Sequence, residues 1–490
     1  MKILQSDAEL SNLFSPAEQA AYLGDTWDTS GQDSSGQNSS GQNDMTTDAV
    51  CMDFETPARG NLNIKGGYKS GEKNFIIIFT TEFQTSTNVG IEVPIHRKLT
   101  LVGDAQTGVI TAMLPEGGVI DHDEDARSPV PQLDWTEIQN CLQASGDEYV
   151  WQLQKEGFRA FSAGEVTIPE VIYLPFKGQG DFGPGDLHPG DLTLANLNLG
   201  DLHLKGAHKK GGDIYVFKIA TGFPGNSDLG LLPTQGLMIA FDARTGAPLI
   251  VLRDEGHLTD LRTAIAGRNA AEELMPAEDL SGIGVLGTGV QARLQIALLK
   301  RLYPHCHKLA VWGHTQANTV NHAKEMTENG WDVTVTATPG QVADAANLII
   351  TTTPSEVALL DADDITTVNT LIIAIGADMP GKIELSPDLL KKADSVLIDS
   401  IAQGKDHGNA ADAIKENVIA ESDLQEFGDF LSNGLNNPEV AKKLRLFLSS
   451  GIGVQDLQIV QAVIAGSLPS GDDTLPPKLT SPTENQPQRN

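Results

Sequence analysis

Cysteine is scarce in this chain. Cys51, Cys141 and Cys306 are the only three in 490 residues. They are too scattered for a disulfide framework or a metal knuckle, so no metal site is expected and a reducing cytosol suits the chain. Long apolar runs are missing as well. Phe75–Phe79 falls far short of the ~20 residues a spanning helix needs. Met1-Lys-Ile-Leu-Gln-Ser-Asp-Ala-Glu9 has neither the long apolar core nor the small-residue cleavage site of a signal peptide, so a cytoplasmic protein with no membrane partner is expected. Basic side chains are in the minority, 34 against 65 acidic ones, for a net charge of −31. Nucleic acid needs a basic face and is excluded as a partner. The acidity suits solubility, with a salty cytosol as a second reading. A single compact core is excluded by length, so two or three domains are expected.

The stretch that organises the rest is Ser281-Gly-Ile-Gly-Val-Leu-Gly-Thr-Gly-Val-Gln-Ala292. Ile283–Leu286 has the length of a buried parallel strand. Gly287 and Gly289 open a tight turn, and Val290, Leu294, Ala297 and Leu298 follow at helical spacing. Strand, glycine turn and helix in that order make a dinucleotide site. Gly287 permits the turn, Gly289 lets backbone approach a pyrophosphate, and Ala292 lets helix pack on strand. The helix N-terminus then faces the phosphates. A plain strand–helix turn is the competing reading. Strands expected at 308–312, 332–337, 347–352, 370–375 and 395–399, with helices at 316–328, 340–346 and 386–393, extend this into a doubly wound α/β domain.

Ahead of that domain, residues 1–27 read as a short strand and a helix. Ser30–Asn43 repeats Ser-Gly-Gln and reads as a flexible linker or surface loop within 28–47. Gly60-Asn-Leu-Asn-Ile-Lys-Gly-Gly-Tyr-Lys69 then resembles Gly200-Asp-Leu-His-Leu-Lys-Gly-Ala-His-Lys209, and Asp104-Ala-Gln-Thr-Gly108 resembles Asp242-Ala-Arg-Thr-Gly246. Phe75–Thr81 aligns with Tyr215–Thr221, placing an apolar residue opposite Lys218, and Glu124 falls opposite Arg262. Residues 1–128 therefore read as a partial duplicate without its polar chemistry, ended by Pro129-Val-Pro131. A helix over 145–163, strands at 171–175, 201–205, 214–220, 237–242 and 248–252, and a helix over 258–273 make an antiparallel sheet or open barrel. Residues 453–466 read as a closing helix, and the Pro-, Ser- and Asn-rich stretch from Ser467 as a disordered tail.

Four patterns stand together: Phe217-Lys-Ile-Ala-Thr-Gly-Phe-Pro-Gly225, Asp254-Glu-Gly-His-Leu-Thr-Asp-Leu-Arg-Thr-Ala264, Leu286-Gly-Thr-Gly-Val-Gln-Ala292 and Gly376-Ala-Asp-Met-Pro-Gly-Lys-Ile-Glu-Leu385. In this order they resemble the ornithine cyclodeaminase/mu-crystallin family, over about 130–468. The nearest flavour is its ectoine-utilisation and pyrroline-carboxylate or ketimine reductase branch. The resemblance implies an α/β protein: a Rossmann-type doubly wound domain (276–425) plus an α+β, sheet-rich substrate and dimerisation domain (130–275, completed by 440–468). The N-terminal partial duplicate (1–128) is extra, and 469–490 forms the tail.

The resemblance also implies catalytic Lys218 and Asp378, with Arg262 and Lys205 binding the substrate carboxylate. A guanidinium fork suits a planar carboxylate, and Asp378 follows an apolar strand at the carboxyl edge, where such sheets place ligands. Lys205 recurs as Lys65, so a structural role stays open for it. The cofactor set is Thr263, Gly287, Gly289, Val290, Gln291, His314, Thr315 and Thr352. The second strand ends Val311-Trp-Gly-His-Thr315 with no carboxylate for a ribose 2′-OH, which favours NADP(H) over NAD(H). Glu170 replaces a frequent family arginine, which puts the usual amino-acid substrate in doubt. Leu448 departs from the family's Phe-Asp-Ser pattern. An NAD(P)H-dependent reductase of a small imino acid is expected, working as a homodimer or a pseudo-dimer through the sheet domain. A cyclodeaminase-type ammonia lyase and a non-catalytic binding protein are the alternatives.

Overall fold

The computed structural model describes residues 1–3, 45–54, 60–69, 73–86, 92–117, 130–177, 198–436 and 443–467. The Ser-Gly-Gln stretch, Glu124, the helix expected before Trp27 and the C-terminal tail lie outside them. Period-two burial sets the centre of the molecule. Along Ile214–Gly222, the side chains of Tyr215, Phe217 and Ile219 enter one apolar core, while Ile214 and Val216 enter another. Both faces of this sheet are therefore covered, and Lys218 falls in the row with Val216.

The first sheet contains β1 (Lys2–Ile3), β2 (Met45–Phe54), β3 (Gly60–Lys69), β4 (Asn74–Ser86), β5 (Glu92–Asp104) and β6 (Ile110–Gly117), in the order β1-β6-β5-β4-β3-β2. The second contains β7 (Gln132–Asp134), β8 (Val166–Thr167), β9 (Ile172–Lys177), β10 (Asn198–Lys209), β11 (Ile214–Gly222), β12 (Thr234–Asp242) and β13 (Pro248–Arg253), in the order β7-β13-β12-β11-β10-β8, with β9 also on β10. In each sheet the first strand is short and parallel to its neighbour, and the long strands are antiparallel. Even the irregularities correspond. The β5–β6 register shifts between Val102 and Gly103, and the β12–β13 register between Ala240 and Phe241.

The two sheets stack face to face over a shared aromatic core. Phe79 lies 5.7 Å from Phe217 and 5.5 Å from Phe241, and Phe75 lies 5.2 Å from Phe176, ring centroid to ring centroid. The opposite face of the second sheet carries helices α1 (Trp135–Ser145), α2 (Asp147–Ser162) and α3 (His257–Leu274). The sequence pattern predicts one helix over 145–163. In fact Asp134 and Glu137 form a reciprocal capping box that starts α1 ten residues earlier. Gly146, at φ 80°, breaks α1 from α2.

The third sheet is wholly parallel. It contains β14 (Ile283–Leu286), β15 (Lys308–Trp312), β16 (Asp332–Val335), β17 (Leu348–Thr351), β18 (Leu371–Ala374), β19 (Ser395–Ile398), β20 (Leu424–Glu426) and β21 (Arg445–Leu448), in the order β16-β15-β14-β17-β18-β21-β19-β20. Helices α4 (Val290–Leu302), α5 (Gln316–Glu328), α6 (Pro339–Ala345), α7 (Pro387–Lys392), α8 (Asn409–Lys415) and α9 (Phe427–Asn433) connect its strands, as parallel crossovers require. This is a Rossmann-type α/β fold. One assignment needs correcting. The segment 440–468 does not join the substrate domain as a unit: β21 inserts between β18 and β19 of the parallel sheet. Only α10 (Gly453–Ser467) crosses back, against α1, α2 and β10. The chain thus stitches the two units together at Ser449–Ile452. No helix among the described residues is long and apolar enough to cross a membrane.

Candidate active site

The seam between the second and third sheets gathers the charged side chains. Lys205 on β10 and Lys218 on β11 are direct cross-strand partners. Like charges opposite each other are unfavourable, so something must compensate. Arg262, in the second turn of α3, adds a third cation. The compensation comes from Asp456 in the first turn of α10. Lys218 Nζ lies 3.0 Å from Asp456 Oδ2 and donates to Oδ1 at 3.2 Å. Arg262 Nε lies 3.1 Å from Asp456 Oδ1, close in distance but not aligned as a hydrogen bond. All three side chains are at most 6% exposed.

Burial pulls Lys218 down to about 8, with Asp456 opposing it and Arg262 and Lys205 adding to it. Burial also works against the Asp456 charge, but Lys218 and Arg262 outweigh it and hold the carboxyl below its usual range. Lys205 is lowered first by burial and then by Arg262.

Arg262 is held in place from several sides. Nη1 donates to Gln455 Oε1 at 2.7 Å, and the same oxygen accepts the Ile452 amide at 3.0 Å. A Cβ at Gly451, whose φ is +82°, would stand 2.5 Å from Nη1, so only glycine fits against the guanidinium. Asp399, just past β19, accepts the Gly451 amide at 2.7 Å and the Ser449 hydroxyl at 2.9 Å. Arg262 Nη2 and Lys205 Nζ have no hydrogen-bond or ion-pair partner among the described residues, so two cationic groups face the seam unengaged.

Around this centre stand further titratable groups. Asp254, at the end of β13, accepts the Leu258 amide at 2.9 Å and is pushed up to about 6 by burial. Asp378 lies past β18 at the carboxyl edge, half exposed, 2.7 Å from Lys382 Nζ. It makes no ion pair with the buried cluster among the described residues, although Lys205 feels its charge. His407 is lowered by burial and then by Lys205. Buried Glu384 binds Thr351, Thr353 and the Gly376 amide, tying together the two strand ends that carry Thr352 and Asp378. Glu170 is exposed just before β9, and Leu448 is buried at the end of β21.

The glycine turn lies on the same edge. Gly287 has φ +121°, and a Cβ there would stand 2.3 Å from Thr352 Oγ1. A Cβ at Gly289 would meet no protein atom within 4 Å, and no side chain caps α4, which begins at exposed Val290. Free amides and a clear approach fit a dinucleotide pyrophosphate. Thr352 Oγ1 donates to the Leu286 carbonyl at 3.2 Å. Gln291 Nε2 is turned to Asp260, 3.1 Å from Oδ1, and Thr263 Oγ1 donates to its own helix at Thr259, 2.8 Å away. His314 and Thr315 are exposed beyond β15.

Comparison with known proteins decides the family. The model of the ornithine cyclodeaminase/mu-crystallin family matches residues 192–468. This chain belongs to the ornithine cyclodeaminase/mu-crystallin family. An alanine dehydrogenase of Archaeoglobus fulgidus is 30% identical over 319 residues, 64% of this chain and 88% of that relative. A Δ1-pyrroline-2-carboxylate reductase of Bacillus cereus is 25% identical over 258 residues, covering 52% and 78%. The solved archaeal alanine dehydrogenase dimer with bound NAD superposes with a TM-score of 0.57 at 25% identity, over 69% of this chain and 96% of that one. The side chain at the centre of this cluster that the sequence patterns do not single out is Asp456. Its signal was available: α10 is apolar at Val454, Leu457, Ile459, Val460 and Val463, and an acid buried in such a helix needs a charged partner.

Proposed function

We propose that the protein is an NAD(P)H-dependent oxidoreductase that reduces a small imino acid of ketimine or pyrroline-carboxylate type. The observation that supports this most is the meeting of Lys205, Lys218 and Arg262 around Asp456, with Lys205 also feeling the charges of Asp378 and Asp399 at the carboxyl edge of the third sheet. Gly287, Gly289, Val290 and Thr352 would hold the dinucleotide, with Thr263 and Gln291 beside it and His314 and Thr315 at its adenosine end. A bound reduced nicotinamide supplies the hydride. The free Nη2 of Arg262 and the Lys205 ammonium would grip the substrate carboxylate. Lys218, which loses its proton near neutral pH more readily than an exposed lysine, would donate to or polarise the imine nitrogen, and Asp378 at the mouth would exchange the proton with solvent. The absence of a carboxylate after β15 favours NADP(H) over NAD(H). The stacked sheets support the reading of the chain as a pseudo-dimer over that of half a homodimer, and its few cysteines suit the cytoplasm.

The deciding experiment incubates the protein with NADPH or NADH and a panel of cyclic and linear imino acids, following nicotinamide absorbance. Oxidation of cofactor with an imino acid is the expected result. Ammonia release from an α,ω-diamino acid without net cofactor turnover would replace this reading by a cyclodeaminase-type lyase. Cofactor binding with neither reaction would leave a binding protein.

A further inference from the structure

Two hydrogen bonds between the first two sheets form an exchanged pair. Thr81 Oγ1 on β4 donates to the Gly246 carbonyl in the β12–β13 turn, at 3.3 Å. Thr221 Oγ1 on β11 donates to the Gly108 carbonyl in the β5–β6 turn, also at 3.3 Å. Thr81 and Thr221 are equivalent in the repeat, and so are Gly108 and Gly246. The glycines share a left-handed backbone, φ +69° and +67°, and each presses on the other sheet. A Cβ at Gly108 would strike Phe223 and Thr221, and a Cβ at Gly246 would strike Phe83 and Thr81. Residue i touching j′ while i′ touches j is the mark of an isologous, two-fold contact. Here it occurs inside one chain.

We infer that the first sheet fills, within the chain, the place that the same sheet of a second copy would take, so the protein is a monomer with one site and a closed pairing face. The inward rows match in character: Ile77 with Phe217, Phe79 with Ile219, Phe83 with Phe223, all buried. Left bare, that face of the second sheet would be a large aromatic patch, which monomers do not expose. The outward rows do not match. Lys65 pairs with Ile78 where Lys205 pairs with Lys218, so the first sheet keeps the pairing face and has lost the chemical one. Because the two faces of a strand alternate, one can be lost while the other stays. The inference rests on the pseudo-dimer reading of the sheets and not on imino-acid chemistry, and its test reads mass rather than turnover.

Light scattering on the full-length protein over a wide concentration range is expected to give the single-chain mass of 52.2 kDa throughout. A dimer mass overturns the inference. The full-length variant Phe79→Asp puts a carboxylate between Phe217 and Phe241. It is expected to lift the first sheet and give a mass that rises with concentration toward double. Gly108→Ala strains the rim of the same contact through Phe223 and should do so more weakly, which keeps the test open if Phe79→Asp fails to fold. A wild type and a folded variant that both stay at 52.2 kDa at every concentration overturn the inference.

Discussion

Asp456→Asn removes one negative charge from between two buried cations without changing shape, and its consequence can be worked out in sign and size. Holding Lys218 charged at neutral pH, with its pKa at about 8 rather than 10.5, already costs about 3 kcal/mol against an exposed lysine. Taking away the carboxylate that repays part of that desolvation, 3.0 Å from Lys218 and 3.1 Å from Arg262, should cost a further ~3–5 kcal/mol near pH 7. The pH dependence separates this account from simple damage to the helix. A lysine depressed in the folded state contributes its stability fully above the unfolded value and loses it as pH falls through the folded one. For the wild type, stability referable to Lys218 should therefore rise between about 8 and 10.5. In the variant the lower end of that window moves below 8, because the counter-ion that raised Lys218 is gone. The groups that still face it are Arg262 and Lys205, which lower it, and Asp254 and Asp260, whose own shifts register its charge. The gap between the two proteins should be widest where Lys218 is charged in both, below the variant's lowered value. It should narrow as pH rises from there to about 8, where the lysine is neutral in the variant and losing its charge in the wild type, and then level off still open because Arg262 stays charged. Thermal midpoints of both proteins across that range measure it. A gap that is absent, or constant from neutral to alkaline pH, would refute the reasoning.

Two glycine variants separate fold from ligand. Gly287→Ala should lower the thermal midpoint, because φ +121° and the 2.3 Å approach to Thr352 strain any side chain at a cost of ~1–3 kcal/mol. Gly289→Ala should leave the midpoint alone and weaken nicotinamide cofactor binding by about tenfold or more, read by fluorescence titration; equal effects of the two would count against the site. The same titration should show NADPH bound more tightly than NADH, with His314→Asp narrowing or reversing the order; tighter NADH binding by the unmodified protein would sink that preference. Lys218→Ala and Asp378→Ala should each slow imine reduction by about 10²–10⁴-fold, whereas Arg262→Ala should act mainly on KM. Near-normal turnover of the Asp378 variant would remove its assigned role.

Much of this was legible in advance because it was local. The β14–turn–α4 unit announces itself through two glycines with separate duties, and the structure gives Gly287 its strained φ and Gly289 its open approach. The pattern around Lys218 and Arg262 brought both into one site. What escaped was long-range. Asp456 lies 238 positions from Lys218, and nothing in the spacing of the chain says that α10 returns to the second sheet. The path of β21 was misjudged for the same reason: a four-residue apolar strand suits either sheet, and only its neighbours decide. The missed α1 was a local failure, since Asp134 and Glu137 carried the capping signal in plain view. The repeated segments show in the sequence itself, but their exchanged contacts arise only once the two sheets stack.

Two sheets stacked on one chain also change how the protein responds to dilution. An interface between separate chains is governed by mass action, and its stability fades as protein concentration falls. Here the covering sheet is tethered, so it acts at an effective concentration set by the connecting segment and not by how much protein is present. The aromatic seam between Phe79 and Phe217 should hold as firmly at nanomolar as at micromolar protein, and the site across the sheet from it inherits that independence.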